Sequence, residues 1–203
     1  MCIRDRFYNN RFKLGNKAVV KSMLNITTGD GYAYNFNSRD FGGLKYGARI
    51  NILPFGLFRN FGQFRQVDMV RELNPKLLIG FNGSFNNGMS SRRGRRNGDF
   101  LYYNITGTDT TYRLPNYLKV GTDLLFKYRG FSILAEYVNT KAFVTDDITH
   151  RNDRYGDDPT LIRNSFGAFD ENDFITVSPD EYVKRQLILG SGFNIQALSL
   201  IHI

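Results

Sequence analysis

Two carboxylates are predicted to face each other in the stretch 117–143, YLKVGTDLLFKYRGFSILAEYVNTKAF. Folding this stretch at its central Arg-Gly pair places Asp123 opposite Glu136. Paired carboxylates can serve as acid and base in glycoside hydrolysis, but nothing else in the sequence indicates a sugar-cleaving site. Like charges directly opposite each other destabilise a sheet. We therefore expect these carboxylates to hold cations on the same face, such as Lys119 and Lys127, and we predict no catalytic site and no enzyme.

Positively charged side chains dominate the polar faces of the predicted strands. In a narrow water-filled pore, rings of charged side chains set the ion preference, and Lys and Arg favour anions. We therefore predict an anion-preferring lumen in which Asp123 and Glu136 are the lumenal carboxylates. The alternative is that the cations lie near the rims, do not converge, and leave a weakly selective pore. The predicted pore-lining, anion-binding residues are Lys21, Lys45, Arg49, Lys76, Lys119, Lys127 and Lys184.

A cluster of arginines, SSRRGRRNG, lies in a predicted long loop. As a solvated loop tip it needs no function. At a pore mouth it would attract anionic solutes or lipopolysaccharide phosphates. Basic clusters beside aromatic residues also suit nucleic-acid binding, which we do not predict here. The predicted pore-mouth residues are Arg92, Arg93, Arg95 and Arg96.

A second predicted loop, 144–181, is acidic and rich in Asn, Asp and Gly. Such loops can bind hard cations, but the spacing of the acids matches no EF-hand loop. His150 stands alone and is not a convincing metal ligand or base. We predict no metal site and no cofactor.

The stretch 117–143 also organises the predicted fold. Arg129-Gly130 can form a two-residue turn with Gly at the position that tolerates positive φ. Side chains alternate along each arm, so that one face is apolar and aromatic and the other is polar and charged. Each arm runs about eleven residues or more, against about five or six in an ordinary strand and roughly 9–11 in a tilted strand that crosses a bilayer. The pattern predicts a membrane β-hairpin with lipid on its apolar face and water on the other.

Similar alternation predicts six long antiparallel strands that pair as neighbours in chain order. The spans are 18–27, 43–53, 75–86, 116–128, 131–144 and 182–197. Any helix is expected to be short and confined to the connector, residues 54–74. The predicted fold class is all-β, an antiparallel transmembrane β-barrel of which this chain forms about six long strands. The residues expected on one continuous, exposed apolar face include Leu44, Ile50, Leu77, Ile79, Leu124, Phe126, Ile133, Leu187 and Phe193.

Composition is consistent with this fold. The 203 residues are 41% hydrophobic and carry a formal charge of +8. The sequence contains no run of about 18 apolar residues, so it predicts no membrane helix. The only cysteine is Cys2, so no internal disulfide can form. The ends, MCIRDR (1–6) and LSLIHI (198–203), resemble translated sequencing-adapter read-through. We therefore expect residues 7–197 to be a fragment of one barrel domain.

Three segments, LPFGLFRNFGQF, RELNPKLLIGFNGSFNNG and LKVGTDLLFKYRGFSILAEYV, resemble the phosphate-selective porin O/P family in its Bacteroidetes-type form. The resemblance covers roughly residues 40–197. It implies an outer-membrane diffusion channel, a closed barrel of about sixteen strands that assembles as a homotrimer and contacts lipid and lipopolysaccharide. The family's phosphate-selective members carry an arginine ladder and a lysine-rich constriction loop, neither of which is recognisable in this sequence.

The leading functional hypothesis is therefore a porin-like channel in the bacterial outer membrane for small anionic solutes of the phosphate type. One alternative is an outer-membrane barrel that binds a partner through its long loops while the lumen is plugged, because bulky Leu78, Leu125, Leu134 and Ile188 are predicted on the lumenal face. A third hypothesis is a soluble β-sandwich that binds glycans or nucleic acid. A sandwich would bury the apolar faces between two sheets.

Overall fold

The fold is known from a computed structural model that describes residues 6–28, 43–88, 101–152, 160–161, 165–166, 175–176, 178–187 and 189–200. Most of these residues lie in antiparallel strands. The strands are β1 (Arg6–Leu14), β2 (Ala18–Thr28), β3 (Leu44–Leu53), β4 (Lys76–Asn86), β5 (Leu101–Thr106), β6 (Asp109–Tyr112), β7 (Asn116–Tyr128), β8 (Phe131–Phe143), β9 (His150–Asn152), β10 (Thr160–Leu161), β11 (Ser165–Phe166), β12 (Ile175–Thr176) and β13 (Gly190–Ser199). The helices are a 3-10 helix, Arg59–Phe64, and α1, Pro179–Gln186.

Seven strands form the main sheet, in the order β1-β2-β3-β4-β7-β8-β13. The predicted strands therefore pair as neighbours in chain order, as expected, and β1 is added to them at one edge. All pairings are antiparallel. Within the described residues β1 and β13 form the two edges and do not pair with each other, so the sheet is open.

The hairpin of β7 and β8 has the predicted register. Tyr128 pairs with Phe131 and Asp123 pairs with Glu136. Arg129 and Gly130 have φ values of 49° and 89°, which is the positive φ at both central positions that a type I′ turn requires. Since this turn leaves no spare residue, it fixes the register of the whole hairpin.

The main sheet has two ends that differ in their connections. At the turn end, short turns join β1 to β2 and β7 to β8, and the connector joins β3 to β4. At the loop end, longer segments join β2 to β3, β4 to β7 and β8 to β13. Two of these segments contain secondary structure that was not predicted from the sequence. Their strands β5, β6, β9 and β10 form a small sheet in the order β10-β9-β5-β6.

The strand predicted over 182–197 is wrong in its first half. Residues Pro179–Gln186 form helix α1, and strand β13 begins only at Gly190. The expectation that helix is confined to the connector is therefore also wrong. The helix begins with Pro, has acids in its first turn and has cations in its last turn, an order that favours a helix. Val183 and Leu187, four residues apart, are buried together with Ile148.

The two faces of the main sheet differ as predicted. The side chains predicted to share an apolar face do lie on one face by register, except Leu187, which is buried beside α1. On that face Ile50 is 46% exposed and Phe193 is 81% exposed. The other side chains of the predicted set on this face are exposed or half-buried, and none is buried. No helix in the described part of the chain is both long enough and apolar enough to cross a membrane.

Candidate functional site

The opposite face, called the polar face from here on, carries the charged side chains. The strand registers place six of the predicted cations and both carboxylates on it. They are Lys21, Lys45, Arg49, Lys76, Lys119, Lys127, Asp123 and Glu136. Successive strands bring these side chains into rows that run across the sheet.

An apolar row crosses the polar face near the turn end. Its members are Val19, Leu53, Leu78, Leu125 and Leu134. Phe58 of the connector packs on this row and is itself only 5% exposed. The bulky leucines predicted on the lumenal face are thus covered by the connector, which explains why they stand among polar neighbours. Ile188 lies outside the described residues.

The connector lies across the turn end of the polar face and is held at several points. The connector packs closely against the turn between β1 and β2. A Cβ added to Gly56 would lie only 3.1 Å from the carbonyl oxygen of Lys17. Lys76 Nζ donates a hydrogen bond of 2.8 Å to the carbonyl oxygen of Phe55. At the other side, the backbone N–H of Arg129 donates to the carbonyl oxygen of Glu72 at 2.9 Å. The length of this connector, which breaks the pattern of short turns at this end, is accounted for by its position over the sheet.

Lys127 is the centre of this attachment. It is 1% exposed, and its Nζ donates hydrogen bonds to the carbonyl oxygens of Gly62 at 2.9 Å and of Val67 at 2.8 Å. A buried ammonium needs such partners. The prediction that Lys127 lines the pore is therefore wrong in one respect, since its charge faces the connector and not solvent.

Two buried carboxylates complete the attachment. Asp68 and Glu72 are each 2% exposed. Asp68 Oδ2 accepts hydrogen bonds from the backbone N–H groups of Glu72, at 2.9 Å, and of Gly130, at 2.8 Å. Glu72 Oε1 accepts one from the backbone N–H of Arg59 at 2.6 Å. The connector is thereby tied to the β7–β8 turn by buried polar groups.

The next row across the polar face contains both carboxylates and two of the cations. From β1 to β13 it consists of Arg11, Lys21, Asn51, Gly80, Asp123, Glu136 and Asn194. The cations lie on β1 and β2, and the carboxylates lie on β7 and β8. Among the described residues, β1, β2 and β3 carry no Asp or Glu at all.

Asp123 is paired with Arg49 and not with the lysines expected to hold it. Arg49 Nη2 lies 2.7 Å from Asp123 Oδ2. Arg49 is on β3 and Asp123 is on β7, so the bridge passes over β4 at Gly80. A Cβ at Gly80 would lie 2.6 Å from Arg49 Nη2 and 2.5 Å from Asp123 Oδ1. Glycine at this position therefore leaves the room that the ion pair occupies.

Lys184 does not lie on the polar face of a strand, and its predicted pore-lining position is wrong. It is on α1, where its Nζ lies 2.8 Å from Asp180 Oδ2, one turn earlier. The hydrogen bond from Lys184 lowers the pKa of Asp180 to about 2. The same contact raises the pKa of Lys184 above its ordinary value.

Sequence reasoning missed two cations of the polar face, Arg11 and Lys13, because the first of the predicted strands begins only at residue 18. The signal was present, since polar residues at 9, 11 and 13 alternate with Tyr8 and Phe12. The arginines predicted at a pore mouth, Arg92, Arg93, Arg95 and Arg96, lie outside the described residues.

Another ion pair lies at the loop end, beyond the strands of the main sheet. Arg113 Nε lies 2.6 Å from Asp147 Oδ2, and this hydrogen bond lowers the pKa of Asp147. No group of three or more His, Cys, Asp or Glu side chains that could hold a metal ion occurs in the described part of the chain.

Comparisons with protein-family models, with curated proteins and with solved structures found no match to this chain.

Proposed function

We propose that this chain forms part of the wall of a porin-like diffusion channel in a bacterial outer membrane, with lipid against the apolar face and the aqueous lumen against the polar face. The observation that carries the proposal is the separation of the two faces across seven adjacent strands. Large apolar side chains such as Phe81, 51% exposed, and Phe193 point away from any packed interior. In water, a contiguous apolar surface of this kind requires a covering partner, and lipid is one.

Strand dimensions support the same proposal. The β7 and β8 strands have 13 residues each, and β2 and β4 have 11 each. A tilted strand needs about 9–11 residues to cross the hydrocarbon core. Aromatic residues also stand near both ends of the apolar face, with Tyr128 and Phe131 at the turn end and Tyr46 and Phe143 at the loop end. Outer-membrane barrels place aromatic girdles at these two levels.

The solutes that we propose are small and preferentially anionic. Fewer cations support this preference than the sequence alone predicts, because Lys127 is buried and Arg49 is paired with Asp123. Among the cations that remain, Lys21 and Lys45 lie on the cationic side of the polar face, formed by β1, β2 and β3, with no acid on the described parts of those strands. Low-dielectric walls would focus the field of these charges into the lumen.

The test is the reversal potential of the protein in planar lipid bilayers under a KCl gradient. We expect the wild type to favour chloride over potassium. The double variant Lys21→Gln/Lys45→Gln should lower the permeability ratio about twofold or more, equivalent to ~0.4 kcal/mol at 1.4 kcal/mol per tenfold. Lys141→Gln is the matched control, because Lys141 lies on the apolar face by register. A cation-preferring wild type would refute the anion preference.

A plugged barrel that binds a partner through its loops is the second candidate. The connector favours it, because this segment covers the turn end of the polar face and would narrow the lumen there. Single-channel conductance separates the two candidates, since a plugged barrel conducts no steady current. The soluble sandwich is disfavoured, because it requires the apolar face to be buried.

A further inference from the structure

A cleft of about 490 Å³ opens on the polar face over β4, β7, β8 and β13. Gly121 and Gly192 form part of its lining. The polar side chains that line the cleft are Arg49, Asn82, Lys119, Asp123, Glu136 and Asn194. The wall of the cleft is therefore mixed, because these charged and amide groups share it with apolar residues such as Val138 and Phe193.

The charges of this cleft are balanced, unlike those of the strands β1, β2 and β3. It is lined by the cations Arg49 and Lys119 and by the carboxylates Asp123 and Glu136. Arg49 and Asp123 neutralise each other across Gly80. One cation and one carboxylate remain to interact with a solute.

These two groups, Lys119 and Glu136, have few partners within the described residues. Both are exposed. Lys119 makes no ion pair there, and Glu136 accepts one side-chain hydrogen bond, from Asn194 Nδ2 at the long distance of 3.5 Å. Lys119 lies four residues from Asp123 along β7, and Asp123 pairs directly with Glu136 on β8. With a rise of about 3.4 Å per residue and strands about 4.8 Å apart, the Cα atoms of Lys119 and Glu136 are ~14 Å apart.

We propose that this cleft binds a short zwitterionic solute, with the ammonium end on Glu136 and the carboxylate end on Lys119. A single inorganic ion cannot bridge two groups so far apart. A peptide of about three residues spans ~10 Å when extended, which brings its two charged ends close to these two residues. The amides of Asn82 and Asn194 supply hydrogen bonds to its backbone. The inference rests on the proposed channel only for the route by which the solute arrives.

The test measures binding in detergent micelles, so that it does not depend on channel activity. The probes are trialanine, N-acetyl-trialanine and trialanine amide, and the readout is the dissociation constant from saturation-transfer NMR. Trialanine should bind about two- to fivefold more tightly than either blocked form, the range expected for a solvent-exposed ion pair. Glu136→Gln should reduce trialanine to the affinity of the N-acetyl form, and Lys119→Gln should reduce it to that of the amide. The control Lys141→Gln, on the other face, should change none of the three.

Equal binding of the three peptides to the wild type would overturn the proposal. A Glu136→Gln variant that binds the N-acetyl form more tightly and trialanine equally well would also overturn it, since the cleft would then be an anion site. Conductance in bilayers tests the proposed channel independently of the peptide site. A protein that conducts ions but binds the three peptides equally well is a channel that lacks this site.

Discussion

Replacing Lys127 by Met is expected to detach the connector from the main sheet. Methionine keeps an unbranched apolar stem of similar length and removes only the charged end and its donors. The carbonyl oxygens of Gly62 and Val67 then lose the hydrogen bonds that the ammonium donates at 2.9 and 2.8 Å. The buried carboxylates of Asp68 and Glu72 also lose the nearby positive charge.

The expected cost is large because the site excludes water. Hydrogen bonds to a charged group contribute about 1.5–3 kcal/mol each, and removing one member of a buried set of charges typically costs about 3–5 kcal/mol. Lys127 is 1% exposed, so solvent does not screen these interactions. We expect Lys127→Met to lower the free energy of unfolding by ~3–5 kcal/mol.

Two measurements check this value. Urea titration of the protein in detergent gives the change in the free energy of unfolding, and limited trypsin digestion reports on the connector, whose Arg59, Arg65 and Arg71 are exposed. Cleavage at these arginines should be faster in the variant. Lys141→Met is the control and should change the stability by no more than ~0.5 kcal/mol, as for an ordinary surface position. A Lys127→Met protein within ~1 kcal/mol of the wild type, with unchanged digestion, would refute this account of the connector.

Further outcomes are expected at other positions. Gly80→Ala should break the Arg49–Asp123 bridge, because the new Cβ would lie within 2.6 Å of both side chains. The free energy of unfolding should fall by no more than ~1 kcal/mol, since the pair is partly exposed. A structure of the variant in which Arg49 Nη2 still lies 2.7 Å from Asp123 Oδ2 would contradict this prediction. Hydrogen bonding lowers the pKa of Asp180 to about 2, so its stabilisation of α1 is present above the unfolded pKa of 3.8 and is lost as the pH falls through 2; a carboxyl NMR titration that gives 3.8 would be inconsistent with the pair. Lys184→Gln should leave the reversal potential unchanged, because this side chain lies on α1 and not on a strand of the polar face.

The strands and their pairing could be predicted from the sequence because the relevant physics is local. Alternation of apolar and polar residues assigns each side chain to a face, and the face cannot change without a shift of register. The Arg129-Gly130 pair fixed the register of β7 and β8 because only a two-residue turn fits it. The strands β2, β3 and β4 then followed from their own alternation, as did the part of β13 within the predicted span.

Helix α1 was mispredicted because two periodicities coincide in it. Val183 and Leu187 share one face of a strand, with period two, and also one face of a helix, at a spacing of four residues. The decisive signals were the Pro at the start and the Asp180–Lys184 spacing, which stabilise a helix and do nothing for a strand.

Only the tertiary structure decided which charges face solvent. The sequence placed Lys127 correctly on the polar face, but the alternation along β7 carries no information about a segment 60 residues earlier that covers it. The partner of Asp123 likewise comes from β3, two strands away, through the space that Gly80 leaves. Strand faces are set by neighbours along the chain, whereas burial and ion pairing depend on contacts between residues far apart in sequence. For this reason the composition of the polar face was predictable, and its effective charge was not.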